Sequence, residues 1–81
     1  MLQLHSDHPY YYKVTSASGE TAYLAKGTPL IMKFYHTEGD VLNAKLRHYR
    51  FVSNQYVKNV AGKRDAVRHM FAIKRLLEAS P

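Results

Sequence analysis

Hydrophobic and polar positions alternate through most of the chain and take up a helical spacing clearly only near its end. After a polar lead and Pro9, the run Tyr10-Tyr11-Tyr12-Lys13-Val14-Thr15 is aromatic and β-branched, the composition of a strand. Ser16-Ala17-Ser18-Gly19-Glu20 supplies a turn, and Thr21-Ala22-Tyr23-Leu24-Ala25 returns as its hairpin partner. Gly27-Thr28-Pro29 breaks the chain again. Residues 30–36 alternate, with Leu30, Met32 and Phe34 on one face and Ile31, Lys33 and Tyr35 on the other. Thr37-Glu38-Gly39-Asp40 then reads as a turn of hairpin length.

Residues 41–52 admit two readings. As a strand they place Leu42, Ala44 and Leu46 inward and Lys45, Arg47 and Tyr49 outward. As a helix, Asp40 would cap it and Val41, Leu42, Leu46 and Tyr49 would form a short apolar stripe. Alternation and the sheet preference of Tyr49, Phe51 and Val52 favour the strand, although His48 and Arg50 then fall on its core face and require a bulge. Ser53-Asn54-Gln55 follows as a tight turn, and residues 56–60 as a last strand. Residues 63–78 carry the strongest periodic signal: Ala66, Met70, Ile73 and Leu77 share one helical face, with Val67 beside them. His69 lies near the edge of that face. The expected fold is α+β, an antiparallel β-meander of four to five strands packed against one C-terminal α-helix.

Composition bounds this picture. Eighty-one residues make one domain, 1–81, with 1–8 expected as a flexible tail. A chain of this size buries about 60–65% of its unfolded surface, so the core is small. There is no cysteine, which removes disulfides, thiolate metal sites and a thiol nucleophile. A hydrophobic content of 46% is that of a globular chain, and the longest central apolar run, Pro29-Leu30-Ile31-Met32, falls far short of a membrane span. The first residues lack the basic and apolar regions of a secretory signal. A cytoplasmic location is therefore expected.

Charge sharpens the picture. Twelve Lys and Arg against six Asp and Glu give a net charge of +6 and a pI near 9.7. Residues 1–40 hold three cations and four acids, a net −1. Residues 41–81 hold nine cations and two acids, a net +7. Cations so segregated, with Tyr49, Phe51, Tyr56 and Phe71 among them, suit a polyanion, because neutralised phosphates release condensed counterions and unpaired bases stack on aromatic rings. The candidate nucleic-acid-binding residues are Lys45, Arg47, Tyr49, Arg50, Lys58, Lys63, Arg64, Arg68 and Arg75. Two cations just after Gly62 would sit badly against the positive end of a helix unless an anion bound the free N–H groups there. The segment is not a nucleotide P-loop, since Val57 stands where that motif needs glycine and Arg64 where it needs Ser or Thr.

Other chemistry finds no foothold. His5, Asp7 and His8 have metal-like spacing, but nothing in the sequence joins them to His36, His48 or His69. The six acids are scattered, and no nucleophile motif surrounds the serines. No enzyme, metal or cofactor is expected.

The segments Tyr49-Arg50-Phe51, Tyr56-Val57 and Gly62-Lys63-Arg64-Asp65-Ala66 resemble, in topology and over about 35 residues, the three-strands-then-helix DNA-binding modules of phage integrase arm domains and of plants. That resemblance implies a sheet face in the major groove, with Lys45, Arg47 and Tyr49 facing bases and Lys58 on the backbone. The double-stranded-RNA-binding fold also ends in a basic helix start after three strands, but its N-terminal helix has no counterpart here. The expected function is a small nucleic-acid-binding protein, DNA before RNA. The alternative is an interaction module, such as a small phage-type inhibitor or accessory subunit, that docks on an acidic protein surface through exposed Tyr10, Tyr11, Tyr12 and Tyr23. Strand-edge pairing into a homodimer is compatible with both.

Overall fold

A computed structural model of the chain describes residues 3–5, 7–27, 33–56 and 58–79. Strands β1 (Gln3–His5), β2 (Tyr11–Thr15), β3 (Thr21–Ala25) and β4 (Phe34–Tyr35) form one antiparallel sheet in that order. Helices α1 (Glu38–Gln55) and α2 (Val60–Ala79) follow. The α+β class expected from the sequence is present, with two helices in place of one. The chain divides into two compact units, Met1–Leu42 and Asn43–Pro81.

In the first unit the β2–β3 hairpin forms where residue chemistry asks for it. Gly19 takes a left-handed φ of 89°, a conformation that costs a Cβ-bearing residue and leaves glycine unstrained. Its N–H donates to the Ser16 carbonyl at 3.0 Å, and the Ser16 N–H donates to the Glu20 carbonyl at 2.9 Å. Ser16 Oγ also accepts from the Glu20 N–H. The turn fixes a register running from Thr15 opposite Thr21 to Tyr11 opposite Ala25. Part of the lead expected as a tail joins the sheet: Gln3–His5 pair with β2, Gln3 opposite Thr15, with all three side chains exposed. Of the strand expected over 30–36, residues 34 and 35 form β4, and 30–32 lie outside the described residues.

The tyrosines are not a free contact surface. Tyr10 and Tyr11 are buried, and Tyr12 and Tyr23 are half-buried. His8 stacks on Tyr11 with ring centroids 3.9 Å apart, and Tyr23 meets Tyr11 edge-on at 5.3 Å. The Tyr11 hydroxyl donates to Glu38; burial, then that carboxylate, push its pKa up. His8 Nδ1 accepts the Tyr10 N–H at 3.1 Å, which requires the nitrogen unprotonated. Burial lowers the His8 pKa, with Lys26 adding to the shift and Glu38 opposing it.

Residues 41–52 are helix, and the strand reading fails there for an identifiable reason. Thr37-Glu38-Gly39-Asp40 is a helix cap, where the sequence reading placed a hairpin turn. Thr37 Oγ1 accepts the Asp40 N–H at 3.1 Å, and the Thr37 carbonyl accepts the Val41 N–H at 3.3 Å. Glu38 and Asp40 then sit in the first turn, against the positive end of the helix. The resulting stripe of Val41, Leu42, Lys45, Tyr49, Val52 and Ser53 is buried or half-buried. The final strand expected over 56–60 is also absent among the described residues: Tyr56, Lys58 and Asn59 connect the helices, Val60 begins α2, and Val57 lies outside the description. With those strands gone, the three-strands-then-helix resemblance has no counterpart in this half of the chain.

Helix α2 starts one turn earlier than its apolar period suggested because Asn59 caps it. Asn59 Oδ1 accepts the Gly62 N–H at 3.0 Å, and its carbonyl accepts the Lys63 N–H at 3.1 Å. The expected inner face is correct: Ala66 and Ile73 are buried, and Met70 and Leu77 half-buried.

Two stability predictions follow from the caps and the histidine. Thr37→Ala should cost about 1 kcal/mol and lower the melting temperature by about 4–8 °C, while Thr37→Ser stays near wild type; equal melting of all three would exclude the cap. Unfolded His8 takes up a proton near pH 6.5, whereas folded His8 resists it, so stability is full above about 6.5 and is lost as pH falls below it. His8→Asn, which can accept from Tyr10 without titrating, should flatten that loss in urea unfolding series. An undiminished acid dependence would count against it.

Candidate nucleic-acid interface

The nine proposed contact residues separate into two groups. Lys45 is buried and Tyr49 half-buried, and the other seven are exposed. Lys45 is only 3% exposed, with Nζ 4.9 Å from the centre of the Tyr49 ring one turn on. Burial lowers the Lys45 pKa. Tyr49 stacks on His69 of α2, with centroids 4.7 Å apart and planes 15° from parallel. Beside them, burial and the Lys45 charge lower the pKa of His48. The Tyr49–His69 stack joins α1 to α2, with Lys45 buried beside it.

Arg47 and Arg50 lie one turn apart on the exposed face of α1, next to a 63%-exposed Phe51. Lys58 is exposed in the connection between the helices. The remaining four, Lys63, Arg64, Arg68 and Arg75, border an open groove of about 620 Å³ along α2. Its floor is apolar: Tyr56, Val60, Val67, Phe71 and Ala72. Val60 and Phe71 are well exposed there, at 62% and 57%.

Helical geometry orders these side chains. At about 100° per residue, Val60, Val67 and Phe71 fall within an arc of about 40°. Arg64, Arg75 and Arg68 run along one side of that arc, and Lys63 stands on the other. Ala66 and Ile73 face nearly the opposite way, so the groove is a second apolar stripe rather than the fringe of the buried one. Sequence reading took Val60 as strand and Val67 as an adjunct to the inner face; extending the 3.6 period one turn upstream of residue 63 would have aligned Val60 with Val67 and Phe71.

The anion site expected just after Gly62 does not fall at a helix start, because α2 begins at Val60. The Gly62 N–H is already taken by Asn59 Oδ1. Gly62 serves a different purpose: a Cβ there would stand 3.0 Å from the Tyr56 ring, so its absence lets Tyr56 lie against the helix and close one end of the groove. Among the described residues, no group of three or more His, Asp or Glu is placed to hold a metal ion, and no helix is long and apolar enough to cross a membrane.

Lys45→Met keeps the apolar stem and removes the ammonium. It should leave polyanion affinity unchanged in a filter-binding assay, whereas Arg64→Ala should weaken it; a loss on Lys45→Met equal to that of Arg64→Ala would show that the buried amine reaches the ligand. The chain matches no family model, no curated protein and no solved structure.

Proposed function

We propose that this chain is a non-enzymatic nucleic-acid-binding protein whose second unit carries the contact surface. One observation supports this above the rest: the charge boundary coincides with the structural one. Residues 1–42 hold three cations and four acids, and residues 43–81 hold nine cations and two acids. Eight of those nine cations are exposed, Lys45 being the exception. Concentrating cations on a unit of two helices costs stability through self-repulsion. Arg64 and Arg68, one turn apart, repel by about 0.2–0.5 kcal/mol. A polyanion converts that repulsion into binding energy by releasing its own counterions.

On this reading the contacts are Arg47, Arg50, Lys58, Lys63, Arg64, Arg68 and Arg75, from two helices and their connection, with no sheet in a DNA groove. Phosphate contacts of this kind position a ligand without reading its sequence. The acidic-protein alternative loses two of its four tyrosines, since Tyr10 and Tyr11 are buried and Tyr12 and Tyr23 half-buried.

The test is a salt-titrated binding series on duplex DNA, duplex RNA and single strands. Affinity should fall by about 0.7–0.9 log unit per log unit of salt for each phosphate neutralised. The double variant Arg47→Glu/Arg64→Glu should abolish binding with the circular dichroism spectrum unchanged, since both side chains are exposed. Undiminished binding by the double variant, or no salt-dependent binding by the wild type, would overturn the reading.

A further inference from the structure

We infer that the groove along α2 takes single-stranded nucleic acid, with unpaired bases against Phe71 and Tyr56 and phosphates on Arg64, Arg68 and Arg75. The inference rests on the nucleic-acid reading above and narrows it from any polyanion to an unpaired strand. It starts from the one-sidedness of the groove. A single strand exposes flat apolar bases along one side and a charged backbone along the other. The groove has the matching layout: an apolar stripe of Val60, Val67 and Phe71, with three arginines aligned beside it. Arg64 and Arg75 lie about 16 Å apart along the helix, room for a few nucleotides.

Each chemical ingredient has a partner on such a strand. Phe71 is 57% exposed and Tyr56 36%; Lys74 Nζ lies 5.7 Å from the centre of the Phe71 ring and Tyr56 lies against Gly62, and the ring surface left exposed is what a base can stack on. Stacking on an aromatic ring tolerates any base, because every base has a π face. Three of the four bordering cations are arginines, whose planar guanidinium both grips phosphate in a bidentate manner and stacks on bases. Among the described residues no acidic side chain lines the groove to repel the backbone. A duplex fits less well, because its base faces are already stacked and the apolar stripe would meet phosphate. A second copy of this chain fits worse still, since it would set Lys63, Arg64, Arg68 and Arg75 against the same cations.

The experiment measures fluorescence anisotropy of four labelled probes at one salt concentration. They are an oligothymidine, an abasic strand of the same length, a duplex and poly-glutamate. The wild type should bind oligothymidine about tenfold or more tighter than the abasic strand and tighter than the duplex. Phe71→Ala should erase that advantage and leave abasic and duplex binding unchanged, while Phe71→Trp keeps it. Phe71 is exposed, so an unaltered circular dichroism spectrum is expected for both variants. Equal binding of oligothymidine and abasic strand, or no effect of Phe71→Ala, overturns the single-strand assignment and leaves the nucleic-acid reading standing. Binding of no nucleic acid, or tighter binding of poly-glutamate than of any of them, overturns both.

Discussion

The helix that begins after Thr37 determines which side chains the second half of this chain presents. The Thr37 hydroxyl accepts the N–H of Asp40, one of the donors that a helix start leaves without partners, and its carbonyl accepts the Val41 N–H in the first bond of the helical ladder. Once they are satisfied, residues 38–55 continue as helix despite Tyr49, Phe51 and Val52, which favour strands when taken singly. Everything distinctive about the basic unit depends on that choice. As a strand, Lys45, Arg47 and Tyr49 would share one face. As a helix, Lys45 and Tyr49 turn inward while Arg47 turns to solvent.

Both units compensate for small cores with aromatic stacking. Only Val41 and Ile73 are fully buried among the described residues, as expected for so short a chain. The first unit adds His8, Tyr11 and Tyr23 in a continuous ring contact, tied to the start of α1 by the Tyr11–Glu38 hydrogen bond. The second adds Tyr49 on His69, with Lys45 Nζ 4.9 Å from the centre of the Tyr49 ring and Asp65 3.7 Å from His69 Nε2. Each contact of this kind contributes about 0.5–1.5 kcal/mol beyond area burial, an appreciable share of the stability of a domain this small. In the first unit His8 stacks on Tyr11 as a flat aromatic surface while its Nδ1 accepts the Tyr10 N–H.

How far the sequence could be read depended on how local each determinant is. The β2–β3 hairpin is written in adjacent residues, a Gly19 able to take positive φ between two β-prone runs, and it emerges within one residue of expectation. The inner face of α2 is equally local, since Ala66, Met70, Ile73 and Leu77 repeat without interruption. Helix α1 was hidden by its own composition. Its inward stripe contains Lys45 and Ser53, so the apolar period is broken at the two polar positions that are buried. Its cap, Thr37-Glu38-Gly39-Asp40, uses residues that serve a turn equally well. The nine cations were found from sequence, but which of them face solvent was not, because that follows from the period of α1. The groove on α2 was half visible: Arg64, Arg68 and Phe71 were noticed, and Val60 was assigned to a strand that does not form.

The α2 surface departs from what stability alone would select. An isolated helix face can be apolar and buried, or charged and wet; this one is apolar, wet and bordered by cations. Val60 and Phe71 leave hydrocarbon in water, which favours association with almost any apolar surface. Lys63 and Arg64, near the positive end of the helix, and Arg68, one turn from Arg64, add repulsion that opposes folding. Taken singly, either feature is unremarkable on a small basic protein. Together they motivate the proposed single strand, because a second copy of the chain would set like charges against each other and a purely ionic ligand would leave the apolar stripe in water. The occupant that relieves both costs is negatively charged along one side and flat and apolar along the other.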